Sequence, residues 1–227
     1  MASPEETLQA HADALLASLR SACLVPGPAA TLLPAADWRP TMQLRVAFGR
    51  KQVELGTFFR AGECKELKPV VEVPHLASTP PSSTAAAGAD AAEAATTTTE
   101  PKKRRTRYTF LMIDSDAPTP EDPKFAFWRH WVVSGLSLGE EKEDEEGAAG
   151  EAGGDWDRNE VTDSKPHRYL FLLYQEPDGM RTLSKADVGG DEFVQRRSFD
   201  AATFATRHGL TLVGMNWMTC AGDGWTG

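Results

Sequence analysis

The sequence predicts a mainly antiparallel β architecture with helices at its periphery. Three observations lead there. Apolar runs of strand length recur at Tyr108 to Ile113, Phe127 to Val133, His167 to Tyr174 and Leu210 to Met218. The two clear helical patterns stand towards the two ends of the chain. Long polar tracts, rather than further helices, separate the central runs.

Ser3-Pro4-Glu5-Glu6 reads as a helix start. Ser3 suits the N-cap, Pro4 the first helical position, and Glu6 can close a capping box. Leu8, Ala12, Leu15 and Leu19 then fall on one face, and the helix should end before Pro26. Residues Pro26 to Thr41 are rich in proline and alanine and predict irregular structure. Gln43 to Phe48 alternates polar and apolar, as a half-buried strand does. Lys51 to Phe59 is expected to pair with it across Gly49-Arg50, and Leu67 to Val73 is a further short strand. Near the other end, Asp200 is the expected N-cap of a short helix that stops at Gly209, with Phe204 facing inward. The tail from Thr219 is small and polar and should fray.

The chain reads as one domain, residues 1–227, carrying two insertions. Residues 77–107 are Ser, Thr, Ala and Pro with almost no large apolar residue, which cannot bury enough surface to offset ordering entropy. Residues 138–165 are acidic and glycine-rich and predict a second disordered loop. The cluster Lys102-Lys103-Arg104-Arg105 reads as a solvated linker or as a nuclear-import or anionic-surface signal.

Bulk properties exclude several functions. A 227-residue chain with 41% hydrophobic residues can build a real core. A net charge of −9 argues against a general nucleic-acid binder. Three cysteines, Cys23, Cys64 and Cys220, are widely spaced, with no pattern suited to structural zinc. A reduced, cytoplasmic protein is the simplest expectation. No signal peptide and no spanning segment is visible, so any membrane contact would be peripheral.

The chemistry concentrates where strands meet loops. The run Tyr108 to Ile113 ends in Asp114 and Asp116, followed by a proline-rich turn. On the next run Trp128, His130 and Val132 share a face by strand parity, and His167, Tyr169 and Phe171 share one on theirs. If these segments are neighbours, their polar ends form a shallow pocket with two histidines, a tyrosine, acids and an aromatic wall. Imidazole donates one hydrogen bond and imidazolium two, which suits a phosphate-bearing ligand. Other readings stay open. Asp114, Asp116, His130 and His167 could bind a divalent metal, as in a metal-dependent hydrolase. Asp116 suits an Asx-type cap of the turn at Ala117-Pro118. His130 suits an ordinary core position between tryptophans. No activated nucleophile is visible, so no catalytic residue and no cofactor is assigned.

At these residues the sequence resembles the phosphatidylethanolamine-binding protein family. Its first motif stands as Asp114-Ser115-Asp116-Ala117-Pro118 followed by Trp128-Arg129-His130. Its second stands as Pro166-His167-Arg168-Tyr169 and then LFLLY, and Arg197-Ser198-Phe199-Asp200 resembles a further stretch. The resemblance implies an antiparallel β-sandwich with an anion pocket. It puts Asp114, His130, His167 and Tyr169 on the ligand, Pro118 and Trp128 in the wall, and Asp116 in support of the loop. It also implies binding of phosphorylated small molecules or phospholipid head groups, and regulation of a serine carboxypeptidase or a kinase, without catalysis. A monomer is expected.

Three departures stand out. Ser115 replaces a proline, the Gly-x-Pro-Pro loop before the second motif gives way to the acidic insertion, and no C-terminal helix is expected after Trp217. The leading helix and the form of the last helix resemble the fungal carboxypeptidase Y inhibitor-like branch. The acidic balance argues against the branch that serves as a mitochondrial ribosomal subunit.

Overall fold

A computed structural model describes residues 3–73, 106–137 and 165–227. The Lys102 to Arg105 cluster and nearly all of both expected insertions lie outside those residues. The fold is built on two sheets. The larger has five strands in the order β3 (Thr57–Arg60), β8 (Thr211–Ala221), β7 (His167–Gln175), β5 (Tyr108–Asp114), β6 (Trp128–Leu136). The smaller has three, in the order β2 (Lys51–Val53), β1 (Arg45–Phe48), β4 (Val70–Glu72). Neighbouring strands run antiparallel except β3 and β8, which are parallel.

The core has two layers because β5 and β7 are covered on both faces. Phe110, Met112, Phe171 and Leu173 pack with Val46, Phe48 and Phe59 between the sheets. Leu111, Ile113, Leu170 and Leu172 pack on the opposite face against α1 (Pro4–Ser21) and α4 (Ala201–Arg207). Strands buried on both faces read as unbroken apolar runs, which is how these two were recognised. In α1 the capping box forms, with Ser3 Oγ accepting from the Glu6 N–H at 3.2 Å and Glu6 Oε2 accepting from the Ser3 N–H at 2.6 Å. Leu15 and Leu19 are fully buried. Asp200 caps α4, accepting from the Thr203 N–H at 2.9 Å. Gly209 terminates the helix in the left-handed region, at φ 64°, where L side chains are disfavoured.

Four expectations are corrected. Lys51 to Phe59 is not one strand. Residues 51–53 pair with β1, whereas residues 57–60 join β8 in the other sheet. Gly56 makes the crossing possible, because a Cβ there would lie 2.6 Å from the Trp217 ring. The stretch from Pro26 is not wholly irregular, since Pro28–Leu32 forms a 3-10 helix that buries Ala29 and Leu32. The tail is held. β8 continues to Ala221, the Arg60 guanidinium donates to the carbonyls of Gly222 and Trp225, and Asp223 accepts from the Gly62 N–H at 2.9 Å. Finally, Val132 does not share a face with Trp128 and His130. Trp131 pairs with Met112 but Arg129 pairs with Ile113, so His130 is the extra residue of a bulge. The bulge reverses parity beyond it and sends Val132 to the helix side.

Two further short helices frame the ends of the large sheet. α2 (Ala61–Cys64) continues directly from β3, and α3 (Phe193–Arg196) lies beside β6.

Candidate functional site

The end of the large sheet at Asp114 collects the polar residues. Asp114 is opposite Tyr169 on one neighbouring strand and Trp128 on the other. His167 lies two residues before Tyr169 on the same face. By strand parity with Trp128, His130 is on that face too, with its ring centroid 5.3 Å from that of Tyr169. The His167 ring stacks with Tyr169 at a centroid distance of 6.4 Å. Asp114, Trp128, His130, His167 and Tyr169 therefore stand together on the side facing the small sheet. Pro118 stands, half-buried, in the loop beyond Asp116. The cluster is deep, with Asp114, His130, His167 and Tyr169 exposed by 3%, 5%, 4% and 1%.

The two acids have different tasks. Asp114 Oδ2 lies 2.7 Å from His167 Nδ1 and fixes that ring. Its Oδ1 accepts from the Asp116 N–H at 2.7 Å, an Asx-type bond two residues on. The turn-capping role expected of Asp116 thus falls to Asp114. The Asp116 carboxylate instead chelates Arg168, with Nε donating at 2.8 Å and Nη2 at 2.6 Å, and it accepts the Arg168 N–H at 2.7 Å. Arg168 also donates to the Ala22 carbonyl at 2.9 Å, which ties the loop to the end of α1. Ser115 adds two bonds to the Arg168 carbonyl, from its N–H at 3.0 Å and its Oγ at 3.1 Å. A proline at 115 would have neither donor.

Arg168 is the residue that sequence reasoning missed. A lone arginine in an apolar run was itself a signal, because a charge in a doubly covered strand must find a partner. Its pKa is raised by the Asp116 hydrogen bonds.

The electrostatics favour a charged His167. Burial pulls its pKa down, but the hydrogen bond it donates to Asp114 and the charges of Asp114, Asp116 and Glu121 together raise it above the ordinary histidine value. Glu121 belongs to the loop after Pro118 and pairs with Lys165 at 2.9 Å, so two loops meet beside His167.

Among the described residues no three of His, Cys, Asp and Glu converge as metal ligands. Asp114 and Asp116 are committed to His167 and Arg168, which leaves the metal-hydrolase reading without a ligand set among those residues. A separate cleft of about 560 Å³ opens between α1 and the small sheet, lined in part by His11, Arg45, Glu54 and Glu72. It shares no lining residue with the Asp114 cluster. No described helix is long and apolar enough to cross a membrane.

Comparisons with known proteins bear on the fold and the family. The family model described as phosphatidylethanolamine-binding protein matches residues 72–217. Protein SELF-PRUNING of Solanum lycopersicum is 29% identical over 99 residues, 41% of this chain and 49% of that protein. The match therefore spans about half the length of that relative. A carboxypeptidase Y inhibitor, solved in complex with its cognate proteinase, has the same fold at a TM-score of 0.60 and 16% identity, over 93% of this chain and 97% of that one. A phosphatidylethanolamine-binding protein from Plasmodium vivax aligns at a TM-score of 0.55 and 17% identity, over 91% and 96%. The family match covers most of the chain and both motifs that build the Asp114 cluster, and the chain belongs to the phosphatidylethanolamine-binding protein family.

Proposed function

We propose that the protein is a binding and regulatory module that takes a phosphate-bearing small molecule or phospholipid head group at the Asp114 cluster. The observation that carries this reading is the Asp114–His167 pair at 2.7 Å beside the His130 and Tyr169 rings. With Nδ1 held by Asp114, the His167 ring presents Nε2 as a donor when it is the imidazolium. A bound phosphate gains from the imidazolium that the neighbouring acids favour. His130 and Tyr169 complete the polar side, while Trp128 and Pro118 wall it. The negative charge that Asp114, Asp116 and Glu121 place around His167 suits a ligand carrying a cationic amine next to its phosphate, as phosphoethanolamine does, without either aspartate leaving its partner. Titration calorimetry with phosphoethanolamine tests the reading on the native chain, His130→Ala and His167→Ala. Saturable heat from the native chain and at least tenfold weaker binding by both variants are expected. Equal heats from all three proteins would discard the pocket.

A second reading is inhibition of a serine carboxypeptidase. Its motive is the fold shared with the carboxypeptidase Y inhibitor over nearly the whole chain. Deleting α1 would not test it, because Leu15 and Leu19 belong to the core. The test is titration of a carboxypeptidase with the full 227-residue chain, and peptidase activity unchanged at excess would reject it.

A further inference from the structure

We propose that Cys64 and Cys220 form a disulfide on oxidation, a modification site that locks α2 onto the end of β8. Their Sγ atoms stand 3.7 Å apart, in contact. Both thiols are free and buried, whereas the third, Cys23, is exposed at the end of α1. The juxtaposition is built into the topology. β3 runs parallel to β8 with Phe59 opposite Cys220, and one helical turn after Arg60 brings Cys64 back over that position. A disulfide requires about 2.05 Å between the sulfurs. The approach is therefore under ~2 Å, within reach of two side-chain rotations and a small shift of a four-residue helix. That helix is tethered at its surface by the Lys51–Glu63 ion pair at 2.8 Å and by Asp223 on the Gly62 N–H.

The oxidant is a peroxide, small enough for a buried site. One thiolate attacks a peroxide oxygen, the O–O bond breaks, and the sulfur becomes a sulfenic acid as the first water leaves. The second sulfur attacks the sulfenic sulfur, the S–O bond breaks, and the second water leaves as the S–S bond forms. The two thiols together lose two electrons and two protons, and one hydrogen peroxide becomes two waters. The Cys64 thiol and burial hold Cys220 protonated, so the step waits on local opening of α2 and runs slowly.

The bond would close the chain across a separation of 156 residues, spanning both sequence insertions. Such a crosslink restricts the unfolded chain and raises Tm. It would also brace the strand position opposite His167, the Cα partner of Cys220. The proposal stands whether or not a phosphate binds at His167.

The experiment uses the full chain carrying Cys23→Ser, treated with hydrogen peroxide under native conditions, then unfolded and alkylated. The expected product is a monomer about 2 Da lighter that takes up no alkyl group, gives a Cys64–Cys220 crosslinked peptide, and melts higher until a reductant reverses the shift. Cys64→Ala and Cys220→Ala in the same background should show neither the mass loss nor the Tm rise. Cys64, at the end of a surface helix, keeps the control available if Cys220→Ala fails to fold. Two alkylatable thiols after treatment, or added oxygen without a crosslink, would overturn the proposal. So would a disulfide that forms only from unfolded chain.

Discussion

Asp116 and Arg168 form a two-pronged ion pair, 2.6 and 2.8 Å, in which the carboxylate is 1% exposed and the arginine side chain 23%. It holds the loop after β5 against the start of β7, and Arg168 extends the bracing to the end of α1. Removing the guanidinium strands a buried carboxylate. Arg168→Ala should cost about 3 kcal/mol, the low end for a broken buried pair because the arginine is partly solvated. Arg168→Lys keeps the charge but not the fork, and should recover only part of the loss. Denaturant unfolding measures both, and a loss below about 1 kcal/mol for the alanine variant would show that the pair is dispensable.

His167 should titrate above the ordinary histidine range, for the reasons of charge given above. A group whose pKa is raised by folding contributes stability in full below its unfolded value of about 6.5 and loses it as pH rises through the folded value. The native chain should therefore lose stability relative to His167→Gln as pH climbs from about 6.5 through that folded pKa. Phosphate affinity should fall over the same window. Imidazole resonances followed by NMR report the pKa directly. A midpoint at or below 6.5 would contradict the balance of burial against Asp114, and Asp114→Asn should move the midpoint down.

What the sequence made legible was local. The capping box at Ser3, the Asp200 cap and the apolar runs of β5 and β7 depend on neighbours a few residues away. The Asp114, His130 and His167 grouping was legible because strand parity and two motifs both pointed to it. The rest depended on pairing across the sheets. The bulge at His130 exists only against β5, and it decides which way Val132 faces. The jump of residues 57–60 between sheets is invisible in a run that looks like one strand. Arg168 read as one more residue of β7 until Asp116 was beside it. Glu176 lies in a Gln-Glu-Pro-Asp-Gly stretch, and its partners Arg107, Thr109 and Gly135 are distant in sequence. Cys64 and Cys220 are too far apart in sequence for spacing to connect them.

Glu176 illustrates the point and carries a prediction. Its buried carboxylate accepts from Arg107 Nε at 3.0 Å and Nη2 at 2.8 Å, from Thr109 Oγ1 at 2.8 Å and from the Gly135 N–H at 2.7 Å. One side chain thus fastens β7 to Arg107, just before β5, and to Gly135, near the end of β6. Glu176→Ala leaves buried donors without an acceptor and should cost about 3 kcal/mol. Glu176→Gln retains an acceptor and should cost about half as much. Equal unfolding midpoints for the two variants would mean that charge alone matters there.

Ser115 gives the sharpest test of how this chain departs from its relatives. The resemblance places a proline at this position, and Ser115 instead donates twice to the Arg168 carbonyl, from its N–H and its hydroxyl. Ser115→Ala removes the side-chain bond alone and should cost about 0.5–1.5 kcal/mol. Ser115→Pro removes both donors from a site that is 2% exposed, and should cost about 1–3 kcal/mol. The loss should be accompanied by weaker phosphoethanolamine binding, because the peptide that pins Asp114 to Asp116 passes through this residue. Thermal unfolding and calorimetry on the two variants decide the matter. A proline variant as stable as the native chain would mean that the rigidity of the ring compensates for both lost bonds.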